Sequence, residues 1–257
     1  MLSSTAFAHD IEVQNSDGVT IYYIFTNNQT ELAVSYRGSD YDSYRNEYQG
    51  TVIIPASVTY NGKTYSVTSI GNYAFYYCSG LTSITIPESV TSIGSTAFLR
   101  CSGLTSITIP ESVTSIGYSA FTSCTGLTSI KVPVSDYASF CNNSIVFLIR
   151  IYIGKPITLI DKDGTEITEY VIPNTVTSIK DYAFSGCSSL TSITIPNSVT
   201  EIGTYAFSGC SKIQSVVIGN GVTAISNYSF ATGHSIESFT IGSSVLSISA
   251  NAFNYKP

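Results

Sequence analysis

The chain has 257 residues, enough to bury a large hydrophobic core in one or two domains. Charged residues make up only 11% of it and hydrophobic residues 43%, a balance that disfavours intrinsic disorder. With a net charge of −6 and 11 Lys and Arg residues, the chain lacks the basic surface that nucleic acids and anionic membranes attract. No apolar run approaches the roughly 18 residues of a membrane-spanning helix, so we predict a protein that does not span a membrane.

The first eight residues, MLSSTAFA, end in the small-x-small pattern of a signal-peptidase site. We therefore interpret residues 1–8 as the remnant of a signal peptide, the alternative being a flexible native terminus. This interpretation predicts an exported protein, either secreted or at the cell surface, with the periplasm as an alternative location.

Residues 9–50 have a strand-rich pattern. VTIYYIF and ELAVSY each alternate apolar residues along one face and are joined at Asn27-Asn28, which predicts a β-hairpin. A polar, tyrosine-rich loop, SDYDSYRNEYQG, follows, and Asn61-Gly62 marks a second hairpin in the next segment. We expect residues 9–50 to form an N-terminal β cap, because a protein built of repeats must cover its exposed ends.

A 23-residue repeat runs through residues 51–257. One marker is an aromatic position, and the other is a cysteine three residues later in most copies. The aromatic positions are Phe75, Phe98, Phe121, Phe184, Phe207, Phe230 and Phe253, and the cysteines are Cys78, Cys101, Cys124, Cys187 and Cys210. A repeat of this length predicts a stacked architecture in which each copy buries its apolar side against its neighbours.

Each copy has two strand-like pieces and a corner. LTSITI predicts a strand that ends at Pro87, since proline has no N–H to donate to a ladder. SVTSIG predicts a second short strand, and STAFLRCSG predicts a short helical turn that buries Phe98 and Cys101. The inward positions of one copy are Leu81, Ile84, Ile86, Val90, Ile93, Phe98 and Cys101.

An irregular segment, residues 132–169, interrupts the repeat. VSDYASFCNN predicts a short helix with Ser135 as its N-cap, and DKDGTE predicts a hairpin turn at Asp163-Gly164. An EF-hand calcium loop is not expected there, because its glycine belongs at the sixth position and Gly164 stands at the fourth.

The pattern AFxxCxxLTSITIPxSVTSIGxxAF closely resembles the BspA-like, or treponemal-type, leucine-rich repeat across residues 51–257, except in the irregular segment. The resemblance implies a mainly β fold with short helical turns: a right-handed, curved leucine-rich-repeat solenoid of about 23 residues per coil with an N-terminal β-hairpin cap. It also implies an exported protein with a role in adhesion to, or recognition of, a host or extracellular macromolecule. A matrix or plasma protein such as fibronectin or fibrinogen would be the partner.

Catalysis is not indicated by the residues present. The two histidines, His9 and His234, lie in different structural contexts, so neither a catalytic triad nor a zinc site is expected. We predict a protein that is not an enzyme and binds neither a cofactor nor a metal.

The cysteines allow two interpretations. An even six in an exported chain is typical of disulfides. However, equivalent cysteines of stacked coils project in parallel, whereas a disulfide needs converging Cβ atoms. We therefore predict a column of buried thiols that act as small apolar residues.

Candidate binding residues fall into two groups. Tyrosines precede the Ala-Phe or Ser-Phe pair at Tyr73, Tyr182, Tyr205 and Tyr228. Outward hydroxyls of the first strand form the second group, at Ser83, Thr85, Ser106, Thr108, Ser192 and Thr194. Tyrosine and serine together provide adaptable contacts at low entropic cost, although β-favouring, soluble surface residues are the structural alternative. The copies at 81–103 and 104–126 differ only in and beside the corner, which favours the tyrosines.

Two other functions remain open. One is a structural spacer or scaffold domain that holds another module away from the cell surface. The other is a glycan-binding module, which an exposed aromatic platform flanked by Asp or Asn near SDYDSYRNEY would favour.

Overall fold

A computed structural model describes residues 9–38, 40–41, 46–134, 153, 155–231 and 235–254. The regular structure of these residues consists of strands, which end where proline, glycine and Asn-Gly turns interrupt the apolar pattern. The strands are β1 (Ile11–Gln14), β2 (Thr20–Thr26), β3 (Glu31–Ser35), β4 (Gly50–Ile53), β5 (Ser57–Tyr60), β6 (Lys63–Ile70), β7 (Leu81–Thr85), β8 (Ser92–Ile93), β9 (Ser106–Thr108), β10 (Ser115–Ile116), β11 (Ser129–Pro133), β12 (Ile157–Ile160), β13 (Glu169–Val171), β14 (Ser178–Ile179), β15 (Ser192–Ile195), β16 (Glu201–Ile202), β17 (Ser215–Ile218), β18 (Ala224–Ile225), β19 (Ser238–Thr240) and β20 (Ser247–Ile248).

The chain divides into two compact units. The first unit comprises residues 1–130 with 152–154, and the second comprises residues 131–151 with 155–257. Both contain stacked coils of the 23-residue repeat, so the predicted leucine-rich-repeat solenoid architecture is confirmed.

Both predicted N-terminal hairpins are present in the first unit. Strands β2 and β3 pair antiparallel around a turn in which Asn27 and Asn28 have φ values of 48° and 55°. Strands β5 and β6 pair around Asn61 and Gly62, whose φ values are 48° and 76°. In the two-residue β5–β6 turn, positive φ at both central residues matches the right-handed twist of the flanking strands, which explains why Asn61 and Gly62 occupy these places. The β2–β3 loop is longer, and its third residue, Gln29, also has a positive φ, of 65°.

The hairpin region continues directly into the sheet of the coils. The strand order is β1-β2-β3-β6-β8-β10, and the pairs from β3 onward are parallel. Alternation on one face was expected for β2 and β3, but Tyr22 and Ala33 on the other face are buried as well, at 5% and 3% exposure. These two strands are therefore interior elements of the unit.

The second unit contains two parallel ladders. Their strand orders are β13-β15-β17-β19 and β14-β16-β18-β20. In the first ladder the register runs from Tyr170 to Ile193, Val216 and Phe239, a step of one repeat per strand. One coil therefore stacks on the next without a shift.

Before these ladders comes the predicted turn of the irregular segment. The Asp161 N–H donates to the Thr165 carbonyl at 2.9 Å, and Gly164 has a φ of 81°. The Asp161 carboxylate accepts the N–H groups of Asp163 and Thr165 at 2.9 and 2.8 Å. Ser135, which we expected to cap a helix, lies outside the described residues, as do residues 1–8.

The core is built from the predicted inward positions. From Leu81 to Cys101 every one of them is 7% exposed or less. The phenylalanines stack in parallel, with ring centroids 4.9 Å apart between Phe75 and Phe98 and 5.1 Å apart between Phe184 and Phe207. Full burial of an aromatic or aliphatic side chain contributes about 1.5–3 kcal/mol, which explains why these residues recur.

The short helical turn that the sequence predicted is not found at the described corners, which contain consecutive hydrogen-bonded turns and no helical residue. In the first coil, Tyr76 N–H donates to Tyr73 at 3.0 Å and Cys78 N–H to Phe75 at 3.2 Å. The residues two before and two after the phenylalanine have left-handed backbones, with φ of 60° at Tyr73 and 58° at Tyr77. This alternation directs the N–H groups of Tyr73, Phe75 and Tyr77 to the carbonyls of the next coil at 2.7–3.2 Å.

The cysteines form the predicted thiol column. The described cysteines are buried, and no disulfide joins any two of them. Cys101 Sγ lies 3.1 Å from the Phe75 carbonyl oxygen, and Cys124 Sγ lies 3.0 Å from that of Phe98. Each thiol thereby supplies a weak donor to the preceding coil while filling apolar space. Cys141 lies outside the described residues.

Candidate binding surfaces

Three of the four candidate tyrosines form a stack in the second unit, here called the tyrosine ladder (Tyr182, Tyr205 and Tyr228). The ring centroids of Tyr182 and Tyr205 are 5.0 Å apart at an interplanar angle of 11°. Those of Tyr205 and Tyr228 are 4.9 Å apart at 9°. All three residues are half-buried, so part of each one remains accessible to solvent.

The corner backbone fixes the ladder. Tyr182, Tyr205 and Tyr228 have φ values of 61°, 58° and 56°, a conformation uncommon for a bulky side chain. Tyr182 and Tyr205 donate their N–H groups to the next coil at 3.1 and 3.2 Å. The rings are thus aligned by coil-to-coil hydrogen bonds before any partner arrives.

The electrostatic surroundings favour the neutral phenol. Burial, followed by the proximity of Tyr205 and Asp181, raises the pKa of Tyr182 above its ordinary value. The Tyr182 hydroxyl therefore remains an O–H group that can both donate and accept a hydrogen bond.

The fourth candidate, Tyr73, lies in the first unit and has different neighbours. Its ring stacks on Tyr41 at 4.1 Å and 16°, and Tyr76 lies edge-on to it at 5.8 Å. Tyr76 in turn contacts Tyr77, with centroids 4.4 Å apart. We name this group the tyrosine cluster, defined by Tyr36, Tyr41, Tyr73, Tyr76 and Tyr77. Repeat spacing alone could not reveal it, since Tyr41 comes from the loop before the repeats.

The hydroxyl candidates of the first unit do not form a uniform column. Ser83 and Thr85 are exposed on β7, and their partners on β4 are Thr51 and Ile53. On β9, Ser106 is exposed and Thr108 is half-buried. No side-chain hydrogen bond links Ser83 or Ser106 to another described residue.

In the second unit the hydroxyl candidates lie on β15. Ser192 aligns with Ser215 on β17, whereas Thr194 lies between Val171 and Val217. These valines are 63% and 38% exposed. Together with Pro173 and Pro196 of the adjoining turns, they line a shallow groove of about 410 Å³. The outward face here alternates between hydroxyl and apolar groups.

Other hydroxyls join one coil to the next. Ser89, Ser112 and Ser198 each donate to a carbonyl of the preceding coil at 2.7 Å. Thr91 and Thr191 do the same at 3.3 and 3.0 Å. Their recurrence every 23 residues was the available signal, and it reflects stacking of coils and not ligand binding.

Reactive groups are not assembled within the described ranges. No group of three or more His, Cys, Asp or Glu side chains is arranged there to hold a metal ion. His9 packs edge-on against Tyr22 at 4.8 Å, and His234 lies outside those ranges. None of the residues described by the structure belongs to a helix that could cross a bilayer.

The stacked parallel strands, the buried apolar positions and the exposed repeat surface together define a leucine-rich-repeat solenoid. The model of the BspA type leucine rich repeat region matches residues 52–163 and 162–256, in 6 copies. The chain belongs to this family. Proteins of the family are typically binding modules without catalysis, which indicates a role in recognition through the repeat surface.

Several solved bacterial structures are similar to this chain. A leucine rich cell surface protein from Faecalibacterium prausnitzii A2-165 is 21% identical, covering 95% of this chain and 86% of that chain at a TM-score of 0.37. The leucine rich repeat protein TpLRR of T. pallidum is 23% identical, with coverages of 89% and 82% and a TM-score of 0.35. A leucine-rich repeat protein from Bacteroides ovatus ATCC 8483 is 24% identical, with coverages of 91% and 78% and a TM-score of 0.33. No curated protein shows significant similarity to the chain.

Proposed function

We propose that this chain is an exported recognition protein, secreted or held at the cell surface, that adheres to a host or extracellular macromolecule without catalysis. A matrix or plasma protein is the expected partner. The observation that carries the proposal is the tyrosine ladder, with three parallel rings 5.0 and 4.9 Å apart on successive coils.

The ladder has the physical properties of a protein-binding surface. Tyrosine supplies a large contact area with few rotatable bonds, so little conformational entropy is lost when a partner orders it. Here even that loss is reduced, because each ring is already held by its neighbour and by a left-handed backbone. An extended partner that crosses the coils would meet an equivalent phenol at each step.

The proposal is tested with a variant in which all three ladder tyrosines become serine (Tyr182→Ser, Tyr205→Ser and Tyr228→Ser). Serine is compatible with the corner, because Ser119 occupies the equivalent place with a φ of 55°. Binding to immobilised fibronectin, fibrinogen and other matrix and plasma proteins is measured by surface plasmon resonance. We expect the dissociation constant for the bound partner to rise at least tenfold.

The matched control changes the hydroxyl candidates of the same unit, Ser192→Ala with Thr194→Ala. We expect this control to bind as the unaltered chain does. Unchanged binding by the triple serine variant would remove the ladder as the contact surface. If the unaltered chain binds none of these proteins, the structural spacer becomes the better explanation.

A further inference from the structure

The tyrosine cluster of the first unit is organised around Tyr41. The Tyr41 ring stacks on Tyr73 at 4.1 Å, and the rings of Tyr76 and Tyr36 stand nearly perpendicular to it at 5.0 and 6.4 Å, both at 87°. Tyr41 is 36% exposed, although one of its faces is covered by Tyr73. Part of the Tyr41 ring that Tyr73 does not cover therefore reaches solvent.

Polar groups lie near individual rings of the cluster. Burial, followed by the proximity of Asp40, raises the pKa of Tyr36, so its hydroxyl stays protonated. Asp40 itself is exposed, at one side of Tyr41 in the sequence. The Arg100 guanidinium lies 4.8 Å from the centroid of the Tyr77 ring. The cluster thus has a carboxylate near Tyr36 and a guanidinium over Tyr77.

This combination matches the chemistry of a pyranose sugar. One face of a pyranose ring carries C–H bonds, which the negative face of an aromatic ring attracts, and its rim carries hydroxyls. The neighbouring phenol and carboxylate groups can accept and donate the hydrogen bonds that those hydroxyls require.

A cage for a quaternary ammonium ion is a less suitable interpretation. Such a cage needs several aromatic faces directed at one empty space. Here Tyr41 and Tyr73 stack directly on each other, and the perpendicular rings are in contact with them. No space remains between these rings for a methylated ammonium group.

We propose that the tyrosine cluster is a carbohydrate-binding site, in which the exposed face of Tyr41 stacks against a pyranose unit of an extracellular glycan. The inference adds a ligand class to the proposed recognition role, but it concerns residues of the first unit. The tyrosine ladder and the tyrosine cluster can therefore each fail without the other.

The test begins with the full chain on an array of gluco-, galacto-, manno- and N-acetylhexosamine oligosaccharides. The best oligosaccharide is then titrated by calorimetry and by tyrosine fluorescence, which no tryptophan obscures because the chain has none. We expect Tyr41→Ala to weaken binding at least tenfold and Tyr41→Phe to retain it within about threefold. The matched control is Tyr118→Ala, at a tyrosine that is 78% exposed and lies outside the cluster, and it should bind normally.

Circular dichroism shows whether each variant is folded. If Tyr41→Ala is not, Tyr41→Leu retains apolar bulk against Tyr73 without an aromatic face, and it should lose binding equally. The proposal is wrong if no oligosaccharide binds, or if folded Tyr41→Ala or Tyr41→Leu binds as the unaltered chain does. Binding of choline chloride in place of sugars would favour the ammonium cage, and binding of proteins alone through Tyr41 would make the cluster a protein contact.

Discussion

At the corners of the repeat, several candidate binding residues occupy positions where the backbone is in the left-handed conformation. The place two residues before the phenylalanine has positive φ in six described coils, and it is occupied by Tyr73, Thr96, Ser119, Tyr182, Tyr205 and Tyr228. A left-handed backbone costs a residue with a Cβ atom roughly 1–2 kcal/mol, and the N–H donated to the next coil offsets this cost. The binding candidates therefore stand at strained positions of the backbone.

Thr96 is the most strained of these residues, because it is β-branched and has a φ of 55°. Asparagine tolerates the left-handed region, so Thr96→Asn should raise the free energy of unfolding by about 0.5–1 kcal/mol. Urea denaturation followed by circular dichroism measures this change.

Thr105→Asn is the matched control for that substitution. Thr105 is exposed, whereas Thr96 is half-buried, and the Thr105 backbone lies outside the left-handed region. Asparagine is depleted in extended segments, so this variant should be unchanged or slightly less stable. Equal effects at Thr96 and Thr105 would show that backbone strain is not the cause.

At the scale of the coil, Gly203 lies against an aspartate of the preceding coil that caps a backbone N–H group. The Asp181 carboxylate accepts the Thr204 N–H of the next coil at 2.7 Å. A Cβ atom on Gly203 would lie 2.6 Å from the same carboxylate oxygen and 2.5 Å from the Asp181 nitrogen. The close approach of these coils therefore depends on the missing side chain at Gly203.

Gly203→Ala should lower the free energy of unfolding by about 1–3 kcal/mol, because the coils must separate or the Asp181 cap must be displaced. Chemical denaturation at neutral pH measures the loss. Ser226→Ala provides the control in the next coil, where the equivalent place already has a Cβ atom, and it should change stability by less than about 0.5 kcal/mol. A neutral Gly203→Ala would mean that the coils can spread at no cost.

The coil was predictable from sequence because its contacts recur. Leu81, Ile84 and Phe98 have equivalents 23 residues away, and their burial follows from periodicity and apolar character. The tyrosine ladder was predictable as an alignment of equivalent positions, but its stacking and left-handed backbone were not. Those depend on hydrogen bonds between coils that no local pattern encodes.

Contacts made by residues outside the repeat were not predictable from the sequence. The tyrosine-rich loop was expected to be polar, yet Tyr48 is 1% exposed and packs on Phe75 at 4.7 Å. Its hydroxyl accepts the Tyr22 N–H and donates to the Ser35 carbonyl, both at 3.2 Å. The Tyr41–Tyr73 stack likewise joins distant parts of the chain. Long-range pairs such as these give no periodic signal.

At the scale of the whole molecule, the interior contains cysteine thiols and tyrosine phenols that are buried in their neutral form. Burial raises the pKa of Cys78 to about 11, and it raises those of Tyr23 and Tyr48 as well. The hydrogen bond to Cys124, and then burial, raise the pKa of Cys101. Both buried phenols are in the N-terminal region, and the thiols lie within the coils. Ionisation of any of these groups in the folded state is unfavourable, so high pH lowers the free energy of unfolding.

The direction of this effect follows from linkage, because a group with a raised folded pKa contributes stability that is lost as pH rises. For Cys78, the unfolded value is near 9 and the folded value about 11, so its contribution is complete below pH 9 and declines between pH 9 and 11. That difference corresponds to about 2–3 kcal/mol.

The free energy of unfolding, measured by urea titration, should therefore be lower at pH 10.5 than at pH 8.5. Cys78→Ala should show a smaller fall between the two pH values, whatever its absolute stability. An identical fall in Cys78→Ala would mean that Cys78 does not contribute and that the other buried thiol and tyrosine groups cause the alkaline instability.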